Sequence, residues 1–150
     1  MADISAAISD EPLDVAGLLT TASGPAIGGI AVFVGAVRES PAVDGQSDRS
    51  VVRLEYDAHP TLAAQKLRAI AEEAAARWDV LRVTAVHRTG SCELGEPTVV
   101  VACGAAHRRE ALEACRWIID EIKSTVPIWK REVYADGAAW VGAAGSGHGA

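Results

Sequence analysis

The segment "HRREALEACRWIIDEIKSTVPIWKREVY", residues 107–134, joins a helical pattern to a strand pattern across a proline. Its first part repeats apolar residues at steps of three and four: Ala111, Leu112, Cys115, Ile118, Ile119 and Ile122. This spacing is typical of a helix that buries one face. Pro127 interrupts the helix, and "IWKREVY" has the β-branched and aromatic residues of a strand. The segment therefore predicts a helix, a corner and a returning strand.

Two lysines, Lys123 and Lys130, lie on either side of this corner. On a helical wheel Lys123 lies about 40° from Ile119, where its stem can rest on apolar neighbours while its amine reaches a cleft. Lys130 shares a strand face with Ile128, which is expected of a strand that lines a pocket or lies at a sheet edge. Each lysine also has a structural interpretation. Lys123 suits the negative end of a helix dipole, and Lys130 suits a solvated edge that resists aggregation.

Three more cationic side chains are candidates for binding an anion. His107 and Arg108 begin the predicted helix, where backbone N–H groups and a guanidinium can hold a phosphate or carboxylate. Arg38 ends the apolar segment "GGIAVFVGAVR" before a loop. The alternative is that His107 caps the helix and the arginines are solvated.

The spacing along the predicted helix limits how these groups combine. Arg108 and Lys123 are fifteen residues apart, which is about 22 Å in a straight helix. They can serve one ligand across a subunit interface or along an extended groove. We favour a homodimer with composite sites.

The remaining segments predict one α+β domain. Helices are expected over 9–22 and 60–78, and strands over 28–38, 51–58, 80–90, 97–105 and 138–141. Strand pairs that lie between helices favour a mixed, mostly antiparallel sheet packed by helices. We assign residues 1–141 to this domain and the glycine-rich residues 142–150 to a flexible tail.

Two finer expectations concern the helices. Ser9 or Asp10 is expected to cap the first helix, because small polar side chains can accept from the free N–H groups there. The apolar side of the second helix is expected to consist of Leu62, Leu67, Ile70 and Ala74. The stretch "CELGEP", residues 92–97, is expected to be a turn.

The composition of the chain narrows its function class. A formal net charge of -6 over 150 residues argues against a general nucleic-acid binder. The three cysteines lack C-x-x-C spacing and the four histidines lack ligand spacing, which predicts neither a metal site nor a disulfide framework. The sequence shows no signal core and no apolar run of membrane-spanning length. These features predict a soluble, cytoplasmic protein without a membrane partner.

Several segments, in this order, resemble the large, catalytic subunit of molybdopterin synthase, the MoaE family: "GGIAVFVGAVR", "LEYDAHP", "VHRTG", "LGEPTVVVACGAAHRREALEACRWIIDEIKSTVPIWKREVY" and "WV". The resemblance implies an α/β-hammerhead fold and a homodimer. It also implies that each subunit binds one small, ubiquitin-like sulfur carrier that ends in a Gly-Gly thiocarboxylate, giving a heterotetramer. The family transfers two sulfurs from the carriers to cyclic pyranopterin monophosphate and forms the dithiolene of molybdopterin, as part of molybdenum cofactor biosynthesis.

The same resemblance assigns roles to the five candidate residues. Lys123 and Lys130 match the active-site lysines of the family, and Arg38, His107 and Arg108 match residues thought to hold the pterin phosphate. Because both reactants are anions and the reaction moves protons, we expect Lys123 to act as acid and base. Lys130 is expected to position or activate the terminal carbonyl of the carrier. This account needs no cofactor and no metal.

Two positions depart from the family pattern: His59 stands where a tyrosine is expected, and Leu112 where a phenylalanine is common. Both are interpreted as packing changes. The chain does not end in Gly-Gly, so the carrier is expected to be a separate protein. Two other functions stay open, namely a non-catalytic module that binds an anionic ubiquitin-like tail, and a phosphate-ligand enzyme unrelated to sulfur.

Overall fold

A computed structural model describes residues 2–39, 50–135 and 137–143, with side chains described as far as residue 135. These residues form, in chain order, β1 (Asp3–Ser9), α1 (Val15–Thr20), β2 (Gly29–Ala36), β3 (Val51–Ala58), α2 (Pro60–Arg77), β4 (Val80–Arg88), β5 (Gly90–Glu93), β6 (Pro97–Ala105), α3 (Arg108–Thr125), β7 (Ile128–Tyr134) and β8 (Gly137–Ala143). None of the helices in this part of the chain is long and apolar enough to cross a membrane.

The strands form two four-stranded sheets. The first has the order β1-β4-β6-β2, and in it β1 runs parallel to β4 while the other neighbours are antiparallel. The second has the order β5-β3-β7-β8 and is antiparallel throughout. The predicted α+β class with mixed, mostly antiparallel pairing is therefore confirmed, and the strands are divided between two sheets.

Two strands lie where the sequence pattern predicted none. In β1 the inward positions are Ile4, Ala6 and Ile8, and the strand is held by parallel pairing with β4, a long-range partner that a local pattern cannot reveal. In β5, residues assigned to the turn 92–97 pair with β3 instead. The turn itself is shorter and is centred on Gly95, whose φ of +79° favours glycine. The first helix is also shorter than predicted.

Helix α1 begins after Asp14, whose carboxylate accepts the N–H of Gly17 at 3.2 Å. The expectation that Ser9 or Asp10 caps this helix is therefore wrong. Ser9 ends β1, and its hydroxyl instead accepts from the N–H of Glu11 at 3.1 Å. The cap lies four residues further along the chain because residues up to Ser9 are extended by the pairing with β4.

Helices α2 and α3 pack against the first sheet, and Leu67, Ile118 and Ile122 are fully buried there. The apolar faces are narrower than predicted, because Leu62 and Leu112 are 54% and 59% exposed. Both helices also face the core with small residues that allow close packing: Ala63, Ala71, Ala111 and Ala114. Leu112 instead lines a surface cleft with Trp78 and Trp117.

Strand β7 occupies the predicted residues 128–134 and lies between β3 and β8, inside its sheet. Helix α3 ends at Thr125, and the N–H of Val126 still donates to Ile122 at 3.2 Å before Pro127 turns the chain. Strand β8 extends two residues beyond the predicted domain end at residue 141. The rest of the predicted tail, residues 144–150, lies outside the described residues.

A buried arginine fixes the end of β4. The guanidinium of Arg88 forms a salt bridge with Glu96 at 3.1 Å. It also donates to the carbonyl oxygens of Asp10 at 3.1 Å, Ser91 at 3.2 Å and Thr89. These bonds tie the end of β1, strand β5 and the turn before β6 to one side chain.

The placement of α3 predicts different costs for two substitutions on this helix. Ile118→Ala removes fully buried methyl groups and should lower the free energy of unfolding by about 2–5 kcal/mol. Leu112→Ala is the matched control and should change it by no more than about 0.5 kcal/mol. Urea denaturation of both variants measures the difference. Equal losses would contradict the orientation of α3.

Candidate active site

The corner between α3 and β7 brings Lys123 and Lys130 together. Burial, together with the positive charge of Lys130, lowers the pKa of Lys123 to about 8. Burial also lowers the pKa of Lys130, with Glu132 opposing the shift and Arg38 adding to it. Lys130 thus acts on Lys123, and Arg38 acts on Lys130, which indicates that the three cations lie near one another.

The environment of Lys130 excludes the interpretation that it is a solvated lysine at a sheet edge. Lys130 is only 6% exposed, and its strand has neighbours on both sides, so it is not a solvated edge residue. Ile128 and Lys130 share the buried face of β7, while Trp129 on the other face is 43% exposed. The predicted alternation is confirmed. Placing an amine on the inner face costs solvation free energy, which is typical of a functional site.

Glu132 is the next buried polar residue on β7, two positions after Lys130. It is 2% exposed and accepts a hydrogen bond from the hydroxyl of Tyr134 at 2.7 Å. Its negative charge raises the pKa of Lys130 and so offsets part of the repulsion among the cations. The sequence analysis missed Glu132, although the alternation that buries Lys130 also predicts burial two residues later.

Two aromatic rings on neighbouring elements complete the inner surface of the site. His87 on β4 is buried, and the edge of Tyr56 on β3 packs against it at 5.0 Å between ring centroids. Tyr56 is also the cross-strand partner of Lys130. Burial raises the pKa of Tyr56 to about 12, so this phenol stays neutral. The contacts link the two sheets at the lysines.

His87 is neutral at physiological pH. Burial lowers its pKa to about 4, the hydrogen bond with the Arg88 carbonyl opposes this shift, and Lys123 and Lys130 reinforce it. The sequence analysis used "VHRTG" without assigning a role to this histidine. Two signals were available: a histidine directly after the apolar Ala85 and Val86 of a predicted strand, and an adjacent arginine.

The other two predicted residues, His107 and Arg108, lie at the opposite end of α3. Both are exposed, and His107 occupies the N-cap position without a side-chain capping bond. Arg108 lies beside the start of β2, since a Cβ built on Gly29 would be 3.5 Å from its Cα. Along α3 the distance to Lys123 is about 22 Å. Within one chain the structure does not bring these two groups together.

The candidate metal ligands do not cluster. Among the residues that the structure describes, no group of three or more His, Cys, Asp or Glu could hold a metal ion. Cys92, Cys103 and Cys115 are free and buried.

Comparison with known proteins assigns this arrangement to a family. Residues 8–125 match the family model described as MoaE protein. The chain belongs to the MoaE family. It is 40% identical over 135 residues to molybdopterin synthase catalytic subunit 1 of Mycobacterium tuberculosis, covering 90% of this chain and 88% of that protein. It is 44% identical over 128 residues to the molybdopterin synthase catalytic subunit of rice, Oryza sativa subsp. japonica, covering 85% of this chain and 64% of the rice protein.

Solved structures agree with this assignment. The crystal structure of molybdopterin synthase from Staphylococcus aureus superposes with a TM-score of 0.84 at 31% identity, covering 91% of this chain and 96% of that chain. A protein–protein complex of subunits 1 and 2 of molybdopterin-converting factor from Helicobacter pylori 26695 contains a chain of the same fold. Its TM-score is 0.72 at 22% identity, covering 92% of this chain and 89% of that chain. The MoaE fold thus extends over nearly the whole chain.

The low pKa of Lys123 predicts a pH-dependent effect on stability. Its amine is harder to charge in the folded protein than in the unfolded chain, so the wild-type side chain destabilises the fold at pH 7. Lys123→Met should therefore raise Tm at pH 7. The gain should shrink as the pH rises from about 8 towards the ordinary value of 10.5, because the folded protein loses its proton first.

Thermal unfolding between pH 7 and pH 10.5 measures this effect. The matched control is Lys66→Met, which replaces an exposed lysine on α2. The control should show no comparable pH-dependent gain. A gain for Lys123→Met that stayed constant with pH would contradict the interpretation that the fold destabilises the charged form of the Lys123 amine.

Proposed function

We propose that this chain is the catalytic subunit of molybdopterin synthase. It transfers sulfur from the C-terminal thiocarboxylate of a small carrier subunit to cyclic pyranopterin monophosphate and so forms molybdopterin. The observation that carries this proposal is the convergence of the Lys123 and Lys130 amines beside Arg38, with the pKa of Lys123 lowered to about 8. The names of the M. tuberculosis and rice relatives support it.

The proposed roles follow from the charges of the reactants. A thiocarboxylate tail and a phosphorylated pterin are both anions, and their encounter requires positive charge. Sulfur transfer also requires proton movement while the substrate ring opens and water leaves. With a pKa of about 8, Lys123 exchanges protons near neutrality and acts as the acid and base. Lys130 positions or activates the terminal carbonyl of the carrier.

The partner of this subunit is a separate, ubiquitin-like carrier that ends in Gly-Gly. The H. pylori complex of two molybdopterin-converting factor subunits supports such a pairing. The three buried free thiols support a cytoplasmic location, where cysteines stay reduced. Two catalytic subunits that contact each other, each bound to one carrier, form a heterotetramer.

A homodimer completes the site by supplying His107 and Arg108 from the second copy. Strand β2 lies at the edge of the first sheet, and its outward row of Ile30, Val32 and Val34 is exposed. An exposed apolar row on an edge strand is typical of an association surface. Arg108 lies at one end of β2 and Arg38 follows the other end.

The length of β2 is suitable for a dimer with two-fold symmetry. Eight residues of strand span about 23 Å, close to the span of about 22 Å between Arg108 and Lys123 along α3. A two-fold axis near the middle of the β2 row would therefore exchange its ends. Each Arg108 would then lie beside the Arg38 and lysine cluster of the other copy, as expected for an isologous dimer.

The central test is reconstitution with the thiocarboxylated carrier and cyclic pyranopterin monophosphate. Lys123→Ala should lower molybdopterin formation by at least about 100-fold, as loss of an acid–base group does, while carrier binding measured by calorimetry persists. Arg108→Ala should mainly raise the KM for the pterin. The control Arg109→Ala removes an exposed arginine paired with Glu113 and should have little effect. Carrier binding without product in the wild type would indicate a binding module, and turnover without carrier a phosphate-ligand enzyme.

The composite site predicts complementation between two variants that are each nearly inactive when the pterin concentration is far below the raised KM of Arg108→Ala. In a one-to-one mixture of Lys123→Ala and Arg108→Ala chains, half of the dimers combine both variants. Each mixed dimer has one site with both lesions and one site with none. After subunit exchange the mixture should recover about a quarter of wild-type activity. If both residues served one site within a chain, every site would keep a lesion and the mixture would stay inactive.

A further inference from the structure

Strand β2 begins in close contact with the turn that leads from β6 into α3. The N–H of Gly28, directly before the strand, donates to the carbonyl oxygen of Ala105 at 2.9 Å. A Cβ atom built on Gly28 would lie 2.2 Å from the carbonyl oxygen of Ala106 and 3.3 Å from its carbonyl carbon. A real Cβ atom does not approach a backbone oxygen so closely. Position 28 therefore accepts only glycine while the backbone at Ala106 keeps its place.

The requirement at position 28 is steric and does not come from the backbone dihedral angles. Among the glycines that the structure describes, only Gly90 and Gly95 have a positive φ. At the next residue, Gly29, an added Cβ would be 3.5 Å from the Cα of Arg108 and 3.6 Å from its nitrogen, which is ordinary van der Waals contact. Alanine should therefore fit at position 29 and not at position 28.

The turn that Gly28 contacts carries two of the proposed site residues. His107 follows Ala106 directly and is the N-cap of α3, and Arg108 is the first residue of the helix. His107 makes no side-chain capping bond, and its carbonyl oxygen accepts the N–H of Ala111 at a long distance of 3.5 Å. The start of α3 is thus weakly held by its own first turn. The contact with Gly28 adds a backbone constraint from outside the helix.

The segment before β2 is anchored, so Gly28 can act as a fixed point. Ala22 is fully buried in this segment, and a Cβ built on Gly104 of β6 would be 2.1 Å from its carbonyl oxygen. The guanidinium of Arg82 on β4 donates to the carbonyl oxygen of Ser23 at 2.8 Å. These contacts hold the segment against β4 and β6. A steric conflict at position 28 is therefore relieved more easily by the exposed turn before α3 than by the segment itself.

We propose that Gly28 is a positioning residue for His107 and Arg108. Its missing side chain lets β2 begin against the turn before α3, and this contact fixes where the imidazole and the guanidinium stand. The inference rests on the proposed function, in which these two residues bind the phosphate of the pterin. Gly28 acts on the substrate only through the turn.

Gly28→Ala should raise the KM for cyclic pyranopterin monophosphate about ten-fold, measured by molybdopterin formation with the thiocarboxylated carrier. To reach an ordinary contact distance, the carbonyl group of Ala106 must move by about 1 Å. A misplacement of this size weakens contacts that depend on exact position. At saturating pterin, kcat should stay within about two-fold, because Lys123 lies in the last turn of α3 and Lys130 beyond it.

Two controls separate positioning from loss of stability. Gly29→Ala introduces the same methyl group one residue later, where it has room, and should leave KM and Tm unchanged. Leu67→Ala removes a fully buried side chain on α2 and should lower Tm at least as much as Gly28→Ala without raising KM. An unchanged KM in Gly28→Ala, or an equal rise in either control, would overturn the positioning role.

A double variant tests whether Gly28 acts through Arg108. In the Arg108→Ala background, Gly28→Ala should raise KM by a smaller factor than in the wild-type background, because the guanidinium that it displaces is already absent. The displaced His107 accounts for the increase that remains. The same factor in both backgrounds would show that Gly28 acts independently of Arg108, and the inference would then be wrong.

Crystal structures of the free variants distinguish failure of this inference from failure of the proposed function. After superposition on β6, the Ala106 carbonyl should move by about 1 Å in Gly28→Ala, together with His107 and Arg108, and should keep its place in Gly29→Ala. If the wild type makes no molybdopterin, such a displacement still supports the positioning role while the proposed function fails. An unmoved turn in Gly28→Ala overturns the positioning role whatever the activity.

Discussion

The site depends on the burial of two amines side by side at the corner between α3 and β7. Pro127 ends the helix, and the returning strand is inserted between β3 and β8, so Lys130 faces inward beside Lys123. In this environment the charges are poorly solvated, which lowers both pKa values, and the charge of Lys130 adds to the shift of Lys123. The fold therefore maintains an electrostatically unfavourable arrangement. Its consequence is an amine whose pKa lies near neutral pH.

The neighbours of the two lysines offset part of the electrostatic cost of burying them. Glu132 supplies a buried negative charge next to Lys130, and Tyr134 holds that carboxylate through its hydroxyl. His87 and Tyr56 are both polar, yet both stay uncharged at neutral pH because burial opposes their ionisation. The inner surface thus combines two amines with one carboxylate and two neutral rings. A further buried cation would raise the electrostatic cost without a compensating partner.

Local patterns in the sequence predicted the elements that carry Lys123 and Lys130 because each has a clear period. Helix α3 repeats its apolar residues every three or four positions, and β7 alternates between more and less buried positions from Ile128 to Glu132. Strand β1 was missed because it is held by pairing with β4, a partner more than seventy residues away. His87 and Glu132 were missed for a similar reason, since their importance comes from what faces them across sheets. Leu112 was placed wrongly because a helical wheel gives a direction and does not show where the sheet ends.

The rigidity of α3 links the architecture of one chain to the need for a second. A straight helix cannot bring its two ends to one small molecule, and α3 has cationic groups at both ends. Strand β2 runs between the same two regions, with an exposed apolar row along its length. The cations at the two ends of α3 are therefore separated within one chain, and the proposed two-fold axis across β2 would unite them. In a chain with a formal net charge of -6, the proposed pairing would concentrate positive charge at one place.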